Sequence, residues 1–353
     1  MPKEFLIFSD LHCHCHKRKN ERLENCLQTL DWVFETAREN KISNILFGGD
    51  LFHDRQKIEI YTYQRTFEVF KKHLDSREFN LYLVLGNHDL WFNEKTSISS
   101  VVPLSSLPGV EIIFNPCRKI IDGIAWDFIP FTHNPIAALE FLKSQSGTPQ
   151  YALGHLAIDG AFLHSSHASD VAIEHDGEMV SISPRLFDFY QYVFLGHYHK
   201  QQKIGENIEY VGSPLELNFG ESFQEKHIII FDANKNKTKY VVNNFSPKHL
   251  VINAADIDKY DLKNNFVRLK IDDMSSADLM SMRKEIIEKN SLASLEIKQH
   301  KDREQQHLIN DAKAILNRGG EMLSAYLDEA GTNSLDKQKL LEVGQKICQY
   351  QED

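Results

Sequence analysis

Short apolar runs alternate with helical patterns through the first two thirds of the chain. Five of the runs are FLIFSD, NILFGGD, LYLVLGNHD, YALGH and YVFLGHYH. Each is too short for a typical helix and breaks into Gly, Asp, Asn or His, which indicates buried strands. Between them, apolar residues recur at helical spacing at Leu23, Leu27, Leu30, Phe34 and Ala37, and again at Phe67, Phe70 and Leu74. This alternation predicts an α/β fold in which helices cover the strands.

The polar residues that end these runs are predicted to lie together, because ligands bind beyond the carboxyl ends of the strands in such sheets. They are Asp10, His12, Asp50, Asn87, His88, His155, His197 and His199. With His88 set aside, their carboxylate, amide and imidazole groups suit two divalent cations, which need a bridging carboxylate and open positions for water and substrate. A Gly directly precedes four of the proposed ligands and allows the chain to turn tightly there.

The first strand end continues as SDLHCHCH, from Ser9 to His16, and this stretch also fits a zinc knot or a coincidence of composition. If the chain stayed extended, alternation would send its Asp and His side chains to one side. The local spacing does not decide between these hypotheses. The five cysteines are odd in number and form no CxxC pair, so neither a disulfide framework nor a zinc site built on paired cysteines is predicted.

The composition is that of a globular protein, with 353 residues of which 42% are hydrophobic. Such a chain can bury a large core and is expected to hold one large domain with one or two small ones. The net charge of -10 argues against a protein whose whole surface binds nucleic acid. One basic run, His16 to Arg22, is either a solvated helix start or a phosphate contact.

No apolar run approaches the roughly 20 residues that cross a bilayer, and the N-terminus does not resemble a signal peptide, so a cytoplasmic location is expected.

The pattern changes near residue 250. NFVRLKID and SLASLEIKQ predict strands, and SSADLMSMRKEIIEKN between them predicts a helix with a Ser cap. From residue 301 the chain is polar and helical, and a helix from Ser334 carries an apolar stripe that packs either on its own chain or on a partner. We therefore predict a first domain at residues 1–245, a small α+β domain at 250–300 and a helical tail at 301–353.

The ordered set DxH, GD, GNHD, H and GHxH resembles the pattern of the calcineurin-like metallophosphoesterases. The resemblance implies a sheet sandwich covered by helices. It also implies one metal held by Asp10, His12, Asp50 and His199, and a second held by Asp50, Asn87, His155 and His197. Asp50 would bridge, and His88 would stabilise charge on the phosphoryl oxygens and leaving group without being a ligand. The fourth block has several candidates, and only His155 follows an apolar run and a Gly; the others are His133, His164, His167 and His175.

GDLFH, YALGHL and YVGSPLELNFGE resemble the SbcD family of DNA double-strand-break repair nucleases and their phage recombination relatives. That resemblance implies a second active-site histidine at His53, DNA as substrate and a capping domain at 250–300. It also implies an SbcC-type coiled-coil ATPase partner that docks on the C-terminal helices, and a homodimer formed through helices of the first domain. The mixed ligand set admits manganese. The length is closest to that of the phage subunits.

Three other enzyme classes compete with this interpretation. Protein phosphatases carry GDxxDRG and GNHE, whereas this chain has GGDLFHDR and GNHD. A PHP-type phosphoesterase would use His14 as a ligand but does not require the later GNHD and GHxH blocks. A small-molecule phosphodiesterase of the same fold has nearly the same metal blocks, but it needs neither His53 nor the cap and tail. The family commonly continues DxH with Leu-Gly, so His14 and His16 are either loop residues near the metals or additional substrate or metal contacts.

Overall fold

A computed structural model describes residues 3–15, 21–91, 98–132, 135–145, 151–161, 173–175, 178–180, 182–272 and 274–299. Contacts divide the chain into two compact units. The first contains Met1–Val251, Asp258–Arg268 and Lys289–Leu295, and the second contains Ile252–Ile257, Leu269–Glu288 and Glu296–Asp353. The tail predicted at residues 301–353, residues 16–20 of the basic run from His16 to Arg22, and the alternatives His133, His164 and His167 lie outside the described residues.

The regular elements follow the apolar pattern closely. The α-helices are α1 (Glu21–Glu39), α2 (Ile60–Leu74), α3 (Pro135–Ser144) and α4 (Ser276–Lys289). The strands are β1 (Glu4–Phe8), β2 (Asn44–Phe47), β3 (Asn80–Val84), β4 (Val110–Ile113), β5 (Cys117–Ile121), β6 (Ile124–Ile129), β7 (Tyr151–His155), β8 (Ile173–His175), β9 (Glu178–Val180), β10 (Tyr192–Gly196), β11 (Gln202–Ile204), β12 (Ile208–Tyr210), β13 (His227–Asp232), β14 (Lys237–Val242), β15 (His249–Asn253), β16 (Phe266–Ile271) and β17 (Ser294–Gln299). All five predicted apolar runs form strands.

Two six-stranded sheets lie at the centre of the first unit. One has the order β14-β13-β1-β2-β3-β4, and the other has the order β11-β12-β10-β7-β6-β5. Strands β1 to β4 pair in parallel, as do β6, β7, β10 and β12. These strands are nearly continuous apolar runs because both of their faces are buried.

An aromatic core lies between the two sheets. It joins residues of β1, β2, β3, β4 and β13 to residues of β5, β6, β7 and β10. Trp126 of β6 contacts Phe5 of β1 edge to face at 5.0 Å, and Phe231 of β13 packs on Tyr151 of β7 at 4.8 Å. This core fixes the spacing between the sheets and therefore the positions of the strand ends above it.

Helices cover the outer face of each sheet. Leu23, Leu27 and Leu30 of α1 are buried against the first sheet together with Phe70 and Leu74 of α2. Ala138 and Leu142 of α3 pack on the outer face of the second sheet. The result is the helix-covered sheet sandwich that the sequence predicts. Among the described residues, no helix is both long enough and apolar enough to span a membrane.

The elements predicted after residue 250 also form. Strands β15, β16 and β17 make a sheet in that order, and α4 lies between β16 and β17 in the chain. The Ser275 hydroxyl accepts a hydrogen bond from the Asp278 backbone N–H at 3.2 Å, which is the predicted serine cap. The domain bounds at 245 and 300 stay a prediction.

Candidate metal centre

The carboxyl ends of five strands, three from the first sheet and two from the second, bring the predicted ligands together. Asp10, Asp50 and Asn87 follow β1, β2 and β3 in the first sheet. His155 is the last residue of β7, and His197 directly follows β10 in the second sheet. The centre thus requires both sheets, because neither one supplies both the carboxylates and these imidazoles.

Asp50 occupies the middle of the cluster. Its Oδ2 atom lies 3.5 Å from Nε2 of His12 and 3.4 Å from Nε2 of His155. Its Oδ1 atom accepts a hydrogen bond from the His88 backbone N–H at 2.7 Å. Because Oδ1 is held in this way, the carboxylate presents Oδ2 to both imidazoles, which is the geometry of a bridging ligand.

On one side of Asp50, two imidazoles face each other. Nε2 of His199 lies 3.0 Å from Nε2 of His12, and the latter lies 3.9 Å from Oδ1 of Asp10. Two such nitrogens can share at most one hydrogen, and two carboxylates adjoin them. A divalent cation fits this donor set, and Asp10, His12 and His199 lie close enough together to hold one ion.

On the other side of Asp50, the Asn87 amide oxygen points at acceptor nitrogens. Oδ1 lies 3.0 Å from Nε2 of His155 and 3.1 Å from Nδ1 of His197. Rotating the amide would turn the oxygen toward the Arg55 guanidinium and make the amide nitrogen a donor instead. A cation between the oxygen and the two imidazoles would favour the unrotated orientation, which places the amide nitrogen beside the Arg55 guanidinium. The donors therefore fit a second divalent ion.

The backbone at the centre departs from the extended chain that alternation predicts after β1. The φ angles of Asp10, His12, Asp50 and His197 are 56°, 50°, 60° and 103°. The strand ends at Phe8, and the Asp10 and His12 N–H groups donate to carbonyls of Gly49 and Asp50 at 2.9 and 3.1 Å. The expected alternation is therefore wrong, because pairing with the neighbouring loop overrides it. Left-handed backbone at four proposed ligands is typical of a functional site.

The residue before Asn87 is Gly because the backbone there lies too close to Asp50 to leave room for a side chain. A Cβ added at Gly86 would lie 2.1 Å from Oδ1 of Asp50 and 2.5 Å from its backbone nitrogen. Any side chain here would push the Asp50 carboxylate away. The predicted role of this Gly, to release polar residues in a crowded turn, agrees with the geometry.

Burial and charge set the protonation states at the centre. Burial raises the pKa of Asp50, but His155 and the other imidazoles outweigh it and hold that pKa well below its usual range. At His155, burial lowers the pKa, whereas Asp50 raises it to about 9. Burial and the charge of His155 lower the pKa of His197 to about 3. At neutral pH Asp50 is an anion and His197 is neutral, which are the forms that bind metal, whereas His155 is protonated in the metal-free protein and would release a proton on binding an ion.

A family model described as calcineurin-like phosphoesterase matches residues 3–201, a segment that contains the whole cluster. The chain belongs to this family. Membership agrees with the order of the DxH, GD, GNHD, H and GHxH blocks and with the two-sheet arrangement of their residues. Family membership and geometry together support a dinuclear metal-dependent hydrolase, that is, a phosphoesterase that requires divalent cations for hydrolysis.

Two curated relatives of this phosphoesterase are nuclease subunits. It is 26% identical over 215 residues to Exonuclease subunit 1 of Enterobacteria phage T4, covering 60% of this chain and 59% of that protein. It is 27% identical over 252 residues to the SbcD subunit of the SbcCD nuclease of Escherichia coli strain K12, covering 61% of each. The chain thus spans about three fifths of the length of the curated relatives it matches.

Solved phosphatases are also similar to the chain, though distantly. A purple acid phosphatase from yellow lupin (Lupinus luteus) seeds aligns over 68% of this chain and 53% of its own. The TM-score is 0.39 and the identity is 9%. A dimetal phosphatase from Danio rerio aligns over 69% of this chain and 99% of its own, with a TM-score of 0.38 and 9% identity. Similarity this low supports no inference about the substrate.

The two predicted catalytic histidines of this phosphoesterase lie beside the ligand cluster. The His88 ring stands edge to face with His12 at 4.8 Å and lies 5.7 Å from the His53 ring. Nδ1 of His88 donates a hydrogen bond to the His53 backbone carbonyl. His53 is exposed at the surface, and the partial burial of its ring together with the neighbouring His14 lowers its pKa to about 4. His14 stacks on His53 at 4.4 Å and is thus a neighbour of the site.

Sequence reasoning missed three residues that hold or adjoin the ligands. The Asp89 carboxylate accepts hydrogen bonds from the backbone N–H groups of Asp50, Leu51 and Gly86 at 2.9, 2.9 and 2.8 Å, which ties two ligand loops together. The Arg55 guanidinium contacts the Asn87 amide, and Glu221 contacts His199. Asp89 lies in the GNHD motif and Arg55 lies in the GGDLFHDR motif. Their positions within these motifs were the sequence signal that could have identified them.

Proposed function

We propose that this phosphoesterase is a nuclease that hydrolyses phosphodiester bonds in DNA. The observation that carries the proposal is the placement of Asp50 Oδ2 between His12 and His155, beside the rings of His53 and His88. Two relatives that bear nuclease names support the choice of substrate. His53 is exposed, so a large substrate can reach this side chain.

We assign one cation to Asp10, His12, Asp50 and His199 and the other to Asp50, Asn87, His155 and His197. Manganese is the proposed metal, since oxygen and imidazole donors are mixed at both positions. When bound, the cations supply an acidified water as nucleophile and Lewis-acid stabilisation of the phosphoryl oxygens.

We assign His88 the role of stabilising the leaving group. Its backbone is fixed by Asp50 and its Nδ1 by the His53 carbonyl. Because a carbonyl only accepts, Nδ1 carries a hydrogen, and Nε2 is left to exchange a proton with the substrate. We propose that His88, when Nε2 also carries a hydrogen, donates that proton to the leaving oxygen. The His12, His53 and His88 rings lie close enough together to hold an ion, and the His88→Ala variant distinguishes the two roles.

Arg55 adds positive charge at the same face. Its guanidinium contacts Asn87 and matches the geometry of a phosphate oxygen pair. A local cation of this kind allows a chain with a net charge of -10 to bind a DNA phosphate at its active site.

The partners are part of the proposal. The names of both relatives describe subunits, which supports assembly with a second protein. We propose an SbcC-type coiled-coil ATPase as that partner, a capping domain at residues 250–300, docking through residues 301–353, and a homodimer formed through the first domain.

Cleavage assays on two substrates test the proposal. End-labelled linear DNA and a small phosphodiester would be incubated with manganese or with chelator, using wild type, His53→Ala and His14→Ala. His14 is a matched control because it stacks on His53 and belongs to neither proposed ligand set. We expect metal-dependent DNA cleavage that His53→Ala lowers at least about tenfold, while small-ester turnover and the control stay near wild type. Fast ester turnover without DNA cleavage would instead establish a small-molecule phosphodiesterase.

A further inference from the structure

We propose that Glu221 is a positioning residue that fixes the tautomer of His199, so that Nε2 of this imidazole is free to bind a cation. The inference rests on the dinuclear centre proposed above and deepens it. Nδ1 of His199 lies 3.0 Å from Oε1 of Glu221, and Glu221 is buried. A carboxylate only accepts hydrogen bonds, so Nδ1 carries a hydrogen, and in the neutral imidazole the lone pair is on Nε2, which faces His12.

The second oxygen of Glu221 is held by three donors. Oε2 receives hydrogen bonds from the Ser213 hydroxyl at 3.1 Å and the Leu217 N–H at 3.1 Å, and it pairs with the Lys226 ammonium at 2.7 Å. Lys226 is also buried. This saturation orients the carboxylate, because Oε2 cannot turn away without leaving buried donors unpaired.

The same cluster holds the backbone of His199. The Lys226 ammonium donates to the His199 carbonyl at 2.9 Å, and the Ser213 N–H donates to it at 3.0 Å. Ring and backbone are therefore fixed by one buried ion pair and one serine. Partners behind a metal-binding histidine typically set its orientation and basicity.

This role gives a chemical reason for the YVGSPLELNFGE segment. Gly212 has a φ of 76°, and a Cβ there would lie 3.0 Å from the His199 carbonyl oxygen. The segment then supplies Ser213 and ends its short helical turn at Glu221. The Gly, the Ser and the Glu all serve one ligand, although they lie at least 13 residues beyond it in the chain.

Replacing Glu221 by Gln gives a sharp test. Oε2 faces three donors, whereas Oε1 faces the Asn218 amide and Nδ1 of His199, so we expect the amide nitrogen of Gln to take the Oε1 position. Nδ1 must then accept, the hydrogen moves to Nε2, and that hydrogen blocks the cation. The variant keeps the shape of the side chain but is expected to reverse the tautomer.

The experiment uses the full chain in three forms. Nitrogen-15 spectra of the metal-free protein report the His199 tautomer, and calorimetric titration with Mn²⁺ reports how many ions bind and how tightly. We expect Glu221→Gln to reverse the tautomer and to weaken one of two ions by about 10- to 100-fold. Glu216→Gln is the matched control, a buried glutamate of the same segment that bonds to the His249 N–H instead.

The Lys226→Met variant distinguishes a loss of His199 orientation from a loss of overall stability. It removes the ion pair without changing the partner of the His199 ring, so a lower melting temperature with the tautomer retained supports the inference. An unchanged tautomer in Glu221→Gln, with both ions bound as in wild type, would overturn it. A reversed tautomer in a protein whose wild type never cleaves DNA would overturn the proposed nuclease instead and leave the role of Glu221 intact.

Discussion

At the scale of single residues, the centre is built on unfavourable backbone. Asp10, His12, Asp50 and His197 all have positive φ, which costs on the order of 1–3 kcal/mol for each non-Gly residue. Hydrogen bonds from the Asp50 loop to Asp89 and from the His197 N–H to Asp10 at 3.1 Å offset part of that cost. The side chains are therefore directed inward by the fold before any ion binds.

His88→Ala separates catalysis from metal binding. We expect DNA cleavage to fall by about 10²- to 10⁴-fold, the usual effect of losing a proton-transfer group. Binding of two Mn²⁺ ions should persist, because His88 belongs to neither proposed ligand set. Activity and calorimetric stoichiometry are measured on the same preparation, with Asn87→Ala as the comparison that loses an ion. If His88→Ala loses both ions, His88 is a ligand and its assigned role is wrong.

At the scale of elements, the strand ends are held by the aromatic core between the sheets. Phe231 of β13 packs against Tyr151 and Phe194, which belong to the strands that carry His155 and His197. Because β13 also pairs with β1 in the first sheet, one side chain connects both halves of the centre. Packing at the core thus controls the geometry of the ligands.

Phe231→Ala should destabilise the protein by about 3–5 kcal/mol, through lost burial and the cavity left behind. Ile120→Ala is the control, because Ile120 is 67% exposed on β5 and its truncation should change stability by about 0.5 kcal/mol or less. Urea denaturation of the metal-free protein measures both. Equal stability of the two variants would contradict the proposed role of this core.

At the scale of the whole molecule, the cations are expected to join the two sheets. Each proposed ion takes ligands from both sheets, and ligands that bind only the folded state stabilise it. Without ions, the buried carboxylates and imidazoles of the centre have mainly one another as partners.

Manganese should raise the melting temperature of wild type and chelator should lower it. At an ion concentration about one hundred times the dissociation constant, the gain is about 2.7 kcal/mol for each site. Asp50→Asn should lose most of this gain, since the amide cannot bridge as a carboxylate does. Calorimetric melting with and without manganese measures the difference, and identical melting temperatures would argue against a resident metal centre.

The local pattern was enough to predict much of this structure. The runs ending in Asp50, Asn87 and His197 form strands because continuous apolar stretches have few other ways to bury themselves. Leu27 and Phe34 mark α1 because helical spacing places them on one buried face. These properties depend on neighbours in the chain, and so they are visible in it.

The remaining features depend on contacts between distant residues. Asp50 meets His155 at 3.4 Å only because two sheets stack, and Glu221 reaches His199 only because a loop returns after β12. The left-handed turn at His12 arises from hydrogen bonds to the loop after β2. The sequence by itself determined the strands, the helices and the residue types of the centre. Only tertiary structure decided which atoms face each other, because those contacts are set by packing across the chain.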